Sequence, residues 1–482
     1  PRSIGQAEKM REILLKKGVY YTIPSVLSAV VGLFFVVPLT TYFLEPSDFG
    51  VAALLASITA LTALSNVSAG WVLTSYYFEV DEQERKVLLF NQVLLDFMFR
   101  AIVVFIFYQF GVHMLPSLFD NFRAEYLTYY NWMLASAALG VFWPSVSTLL
   151  VLEGKAFTYF LIEILRLISM VFALAYVALF FVQKELLLYF PAVVSGLSVM
   201  CATAVVAFKR SSFSIDSSWM KKSIKFGAKG LPASILEAVS SILQRFSIEQ
   251  FFGTRAVGVY AHSQTYAVFF RTGCKSFFQV INPALLSGYA RGADQKKLAK
   301  LCSWWFGLLA LLGFSLGLIV SPMLAILTHG KFVGAAALIL VWYFFVLLQS
   351  AGFPFVQWLI QKRLGFTVMF IQISSSTFTI VLVLIGARWL GLYGIPIAIL
   401  LGGMLNTLLV YYYAVNSGCE FRFRHNLLTS FISLLLGYFL ADILGYQVSV
   451  GLALIVTPLI FYFYGWLKAP QGFELDWFGD GG

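Results

Sequence analysis

The stretch SSILQRFSIEQFFGTRAVGVY (Ser240–Tyr260) carries Arg245 and Glu249 inside a run otherwise apolar enough to enter a bilayer, and it closes on a turn bracketed by Gly253 and Gly258. What such a segment means depends on its surroundings. The chain of 482 residues is 60% hydrophobic, 17% aromatic and only 12% charged, with a mean hydropathy of +0.84. That composition lies far outside the range of soluble globular domains. The segment is therefore one membrane-crossing helix among many.

A spanning helix needs about 20 mostly apolar residues, and runs of that length recur along the chain with short polar punctuation. The pattern predicts about 14 helices, with about 12 as the lower count. They run over 20–44, 49–78, 87–112, 126–152, 157–182, 186–208, 230–252, 257–288, 301–327, 333–360, 365–387, 391–414, 427–443 and 447–466. A membrane β-barrel would show short segments of alternating polarity instead. The predicted fold is an all-α integral membrane protein with two six-helix lobes around a central cavity plus a C-terminal helix pair. Residues 1–208 form the first lobe with a basic N-terminus, 209–229 a basic linker, 230–414 the second lobe, and 415–482 the added helix pair and tail.

The two lobes repeat. Pro24 opens a helix that leads through the turn EPSDFG to Gly50, and Pro232 opens one that leads through FGTRAVG to Gly258. Both separations are 26 residues, and the offset between halves is 208. Repeated six-span halves are a transporter plan, with the substrate path between them.

The formal charge of +10 raises the question of a polyanionic partner. Of the 33 Lys and Arg residues, 23 fall in the N-terminal tail, alternate loops and C-terminal tail, and five on the opposite side (Arg123, Lys184, Arg255, Lys331 and Arg388). That asymmetry is the positive-inside pattern; it places both termini in the cytoplasm and accounts for the basic charge without nucleic acid. The four cysteines and four histidines are scattered, a spacing that points to neither disulfides nor a metal centre. The first apolar run is long and lacks the small-residue cleavage site of a secretory signal.

Three segments carry a family resemblance: TIPSVLSAVVGLFFVVPLTTYFLEPSDFGVAAL (Thr22–Leu54), GLPASILEAVSSILQRFSIEQFFGTRAVGVYAHSQ (Gly230–Gln264) and GLYGIPIAILLGGMLNTLLVYYYAV (Gly391–Val415). In order and spacing the chain resembles the polysaccharide and O-antigen flippases of the multidrug/oligosaccharidyl-lipid/polysaccharide exporter superfamily. The resemblance implies alternating access on a polyprenyl-diphosphate-linked oligosaccharide, in the bacterial inner membrane, beside a polysaccharide polymerase and other assembly proteins. It implies no enzymatic activity and no cofactor beyond a coupling H⁺ or Na⁺. Thr40 and Thr41 stand where relatives often carry a basic residue, and Gln244 where many carry an acid.

Nine ionisable residues lie well inside spans: Asp96, Arg100, Glu163, Arg166, Glu237, Arg245, Glu249, Arg271 and Lys275. Each would cost about 3 kcal/mol facing lipid, so the set must face protein or water. At 100° per residue, Glu237, Ser241, Gln244 and Arg245 share one side of their helix, with Glu249 at its edge. Gln264, Arg271, Lys275, Gln279 and Asn282 share one side of the next. Arg271 and Lys275, one turn apart with no acid nearby on their helix, are the first choice for a diphosphate; Arg245, Arg100 and Arg166 complete the cationic set. The spacings Asp96/Arg100, Glu163/Arg166 and Arg245/Glu249 equally allow neutralisation within a helix. Glu237, Glu249, Asp96 and Glu163 are the candidates for ion coupling or charge balance. Glu237 has no cation within a turn of its own helix, which fits either a carried proton or Na⁺ or a partner on another helix.

Two other functions fit the fold class. A multidrug or cation antiporter of the same superfamily would favour acids in its path, whereas here five cations face four acids. A membrane-embedded glycan polymerase would need a large outer loop, and the longest predicted here runs only from about His113 to Glu125. GFSLG (Gly313–Gly317) reads as a helix-packing motif. The run QISSSTFT (Gln372–Thr379) reads as either path lining or hydroxyls bonded to their own backbone.

Overall fold

A computed structural model describes residues 20–444 apart from 21–22, 25, 66–70, 78–79, 119–122, 228–230, 292–294, 363 and 420–423. The described chain is all helical, without a strand. Its helices are α1 (Val26–Phe43), α2 (Pro46–Thr59), α3 (Trp71–Tyr76), α4 (Glu82–Leu118), α5 (Ala124–Leu139), α6 (Trp143–Leu152), α7 (Ala156–Phe180), α8 (Phe190–Arg210) and α9 (Ser217–Gly227). They continue with α10 (Leu231–Arg291), α11 (Gln295–Leu327), α12 (Ala336–Gln361), α13 (Gly365–Trp389), α14 (Gly394–Asn416) and α15 (Arg424–Leu444). Thirteen of the predicted spans coincide with these helices; the one at 447–466 lies outside the described residues, as do the N-terminal and C-terminal tails. Among the described residues eight helical segments are long and apolar enough to cross a membrane, and three shorter apolar ones accompany them.

The chain forms two compact units, Phe43–Gly258 and Pro1–Tyr42 with Val259–Gly482. This grouping crosses the sequence halves. The first span joins the residues of the second half, and 231–258 joins the first. Contacts at the end of α1 account for the first of these exchanges. Thr41 Oγ1 donates to Leu327 O at 3.0 Å, Lys331 Nζ donates to Tyr42 O at 3.3 Å, and the Tyr42 ring meets His329 edge-on at 5.6 Å. A threonine thus fastens the end of α1 to α11.

In the Phe43–Gly258 unit, α2 begins as its sequence dictates. Pro46 occupies the first turn, where its missing N–H costs nothing, and the Glu45 N–H is capped by Asp48 Oδ2 at 2.8 Å. The predicted turn FGTRAVG contracts to Gly253, whose φ of 79° and ψ of 170° interrupt α10 between 231–252 and 254–291. That conformation suits glycine alone. Beyond it, a Cβ built on Gly258 would stand 1.6 Å from Pro46 O, and one built on Gly50 would stand 2.0 Å from Thr254 O. The two turns therefore pack backbone to backbone. The predicted fourth span is broken: α5 stops at Gly140 and α6 restarts with Pro144 in its first turn.

The linker is an ordered element of the same unit. Asn91, fully buried, donates Nδ2 to Ser214 O at 2.8 Å and accepts the Asp216 N–H at 2.9 Å. Asp216 caps α9 by accepting the Ser218 N–H at 2.8 Å. Trp219 is then buried among Val72, Leu73, Tyr77, Leu88, Leu89 and Leu149.

In the other unit, α11 and α15 cross through Gly317 and Gly437. A Cβ on the first would stand 2.4 Å from Leu434 O, and on the second 2.3 Å from Phe314 O. The GFSLG reading is borne out at Gly317. In α13, Ser375 Oγ donates to Gln372 O and Thr379 Oγ1 to Ser375 O, while Asn406 Nδ2 of α14 donates to Ser375 Oγ at 3.0 Å. These hydroxyls serve helix packing.

Candidate functional site

The charges expected within spans divide between the units. Asp96, Arg100, Glu163, Arg166, Glu237, Arg245 and Glu249 belong to Phe43–Gly258, and Arg271 and Lys275 to the other.

The second arm of α10 is held by one face. Tyr266, Phe270, Cys274 and Phe278 recur every fourth residue and are all buried. Phe270 meets Tyr343 of α12 at 5.2 Å, Phe278 meets Trp305 of α11 at 5.3 Å, and buried His262 reaches the Tyr266 hydroxyl at 3.2 Å. Fixing that stripe inward turns Arg271 and Lys275, one position further round, outward. Both are exposed, and among the described residues neither makes a hydrogen bond or an ion pair. They stand one helical turn apart, so their side chains meet on one face. Arg supplies a planar fork of donors and Lys a compact charge, a combination suited to phosphate oxygens. Gln279 and Asn282, expected to prolong this stripe, continue the helix, but their side chains lie outside the description.

The first arm of α10 presents Glu237 exposed and Arg245 half-buried. Gln244 donates to Ser240 Oγ at 3.0 Å, a neutral pair within the helix. Glu249 Oε1 accepts the Thr254 hydroxyl at 2.7 Å across the Gly253 kink. The carboxylate thus braces the turn.

The remaining charges form two groups. Glu163 of α7 pairs with Arg166 at 2.6 Å, as the i, i+3 spacing allows. Asp96 and Arg100, spaced so that they can meet on α4, each hold a group at the α5/α6 break as well. Asp96 accepts the Ser145 hydroxyl at 2.5 Å and the Gln92 amide at 3.0 Å, and Arg100 Nη1 donates to Ala137 O at 2.6 Å. The physical logic is that of helix ends. A broken helix offers a carbonyl without its usual donor at the C-terminal side and a positive dipole end at the N-terminal side, and a cation and an anion answer each. Ser145, Gln92 and Ala137 were not singled out by sequence. A signal existed, since Gln92, Asp96 and Arg100 recur every four residues, and Gly140 and Pro144 mark the break.

The fold has counterparts among solved membrane transporters. It is shared with the lipid II flippase MurJ in an inward closed conformation, at 13% identity over 93% of this chain and 100% of that one, with a TM-score of 0.68. It is shared also with a multidrug resistance MATE family transporter of the MOP superfamily in an inward-facing conformation (15% identity, 82% and 98% covered, TM-score 0.60). A mutant of the Vibrio cholerae MATE transporter VcmN is a third likeness (14% identity, 88% and 98% covered, TM-score 0.54). Among curated proteins no sequence match is found. Residues 41–343 match the family described as "Polysaccharide biosynthesis protein", and the chain belongs to that family.

Proposed function

We propose that this protein is a flippase that moves a polyprenyl-diphosphate-linked oligosaccharide, the repeat unit of an O-antigen, capsule or exopolysaccharide, across the bacterial inner membrane. The observation that carries this reading is the exposed Arg271 and Lys275 pair, without a counter-charge among the described residues, in a chain of the polysaccharide biosynthesis family. The diphosphate docks on these two cations, Arg bridging oxygens of its phosphate and Lys balancing the second charge. The glycan follows the head group through a hydrated path and the polyprenyl tail stays in lipid, so no covalent bond changes. Release on the far side follows alternating access, with both termini cytoplasmic and assembly proteins receiving the product.

Glu237, exposed on the first arm of α10, is the carboxylate assigned to coupling with H⁺ or Na⁺. Asp96, Glu163 and Glu249 are assigned to charge balance, since each already has a donor. The contacts of Arg166 with Glu163 and of Arg100 with Ala137 O make these two arginines supports of the path, with Arg245 nearer the substrate.

The test is export in cells. Arg271→Ala with Lys275→Ala should abolish surface glycan while the protein remains in the membrane at normal abundance, and lipid-linked oligosaccharide should accumulate on the cytoplasmic side. Full export by the double variant would overturn the site.

A further inference from the structure

The linker between the sixth and seventh spans has a second face that its docking leaves open. Helix α9, with the sequence SSWMKKSIKFG, is strongly amphipathic. Trp219 and Ser223, one turn apart, are buried against the Phe43–Gly258 unit. Lys221, Lys222 and Lys225 project from the other side, all exposed. Lys222 lies 4.0 Å over the Trp219 ring and is partly committed there. Among the described residues Lys221 and Lys225 have neither an ion pair nor a hydrogen bond. By contrast, Arg210 and Lys155 are drawn to Glu153 at 3.4 and 2.8 Å, and Lys86 to Glu82. Arg210, Lys155 and Lys86 thus have carboxylate partners, whereas Lys221 and Lys225 of α9 have none among the described residues.

The apolar residues beside α9 fix its level. Phe208, 62% exposed at the end of the membrane helix α8, stacks on Phe213 at 5.7 Å, and Phe213 also meets Phe90 of α4 at 5.3 Å. Phe213 is 68% exposed and Ile215 70% exposed, in a segment otherwise rich in serine and lysine. An apolar row continuous with a lipid-facing helix and followed by a lysine face is the profile of a segment lying in the interface of a leaflet. The positive-inside pattern assigns that leaflet to the cytoplasmic side.

We propose that 208–227 is an anionic-lipid docking element: Phe208, Phe213 and Ile215 enter the acyl boundary of the cytoplasmic leaflet, and Lys221 and Lys225 bind the phosphate head groups of acidic phospholipids there. The buried Asn91 clamp holds the linker in register, so the lysines are presented as a fixed pair. The occupant is the bilayer surface itself. This proposal does not depend on the substrate or on transport.

The experiment uses the full chain purified in a neutral detergent, titrated with phosphatidylglycerol or phosphatidylcholine and read as a thermal shift. Phosphatidylglycerol should raise the melting temperature with a midpoint that weakens as salt rises, and phosphatidylcholine should not. In Lys221→Gln with Lys225→Gln the midpoint should move to about 25-fold higher lipid, from roughly fivefold for each lysine near an anionic surface. Lys221→Arg with Lys225→Arg should retain the response. The same response in the Gln variant would overturn the proposal. So would an equal shift from inorganic phosphate, which would mark an isolated anion site.

Discussion

Gly50 and Gly258 occupy matching places in the two halves, and each sits where only a glycine fits against the other's helix. Gly258 abuts the Pro46 carbonyl and Gly50 the Thr254 carbonyl. Pro46 and Thr254 are themselves separated by the same 208 residues, so the contact is reciprocal, like that of a two-fold interface. A repeat first visible as spacing is thus also a physical joint.

Adding a methyl group at this joint should force two backbones apart. Gly258→Ala is expected to destabilise by about 1–3 kcal/mol, the usual cost of overpacking. Gly365→Ala, at a position with nothing within 4 Å of the new carbon, should cause no loss. Thermal unfolding in detergent compares them directly. A Gly258→Ala protein melting with the wild type would show that the helices are free to separate there.

The Asp96 cluster makes a different prediction. Asp96→Ala strands the Ser145 hydroxyl and the Gln92 amide in a buried place and should cost about 1–3 kcal/mol. Asp96→Asn keeps an acceptor and should cost less. Ser145→Ala removes one partner only and should be mildest. Chemical unfolding of the three variants checks that order.

Docking of α9 should depend on pH. The Ser218 side chain and backbone N–H hold the Asp216 carboxyl below the ordinary aspartate value of 3.8. Because the folded pKa is the lower one, its contribution is present above the ordinary value and is lost as pH falls through the folded one. Acidification should therefore loosen the α9 cap in that window. Asp216→Asn, which retains a capping oxygen, should remove the acid dependence. Hydrogen exchange across 217–227 measures it, and equal acid sensitivity in both proteins would contradict the assignment.

The membrane architecture was legible because hydropathy needs no partner. An apolar run of spanning length has few other uses, and thirteen predicted spans match helices. Glycines were legible too: Gly253 and Gly317 perform the turn and packing roles their sequence context indicates. Among the charges, the Glu163–Arg166 pair could be read because three residues is one turn of helix. Asp96 could not be matched to Ser145, 49 residues away, because that contact exists only after α4 packs beside the α5/α6 break. The linker helix α9 was hidden by its own composition: its lysines read as a solvated loop, and one buried Trp219 supplies the apolar face that makes it an element. The exchange of α1 and 231–258 between compact units is a tertiary fact, set by contacts such as Thr41 to Leu327 that local pattern does not encode.

The central claim is that Arg271 and Lys275 receive a diphosphate during translocation. Its most direct test is a proteoliposome assay that follows a polyprenyl-diphosphate oligosaccharide from one leaflet to the other, with mass spectrometry confirming that it is chemically unchanged. Wild-type protein should move the intact lipid; Arg271→Ala with Lys275→Ala should lower the rate by tenfold or more, a loss of about 1.4 kcal/mol or greater in transition-state stabilisation. Arg271→Lys should fall between them, since a point charge replaces a planar fork. Equal translocation by wild type and the double variant, or elongation of the glycan in place of movement, would contradict the account.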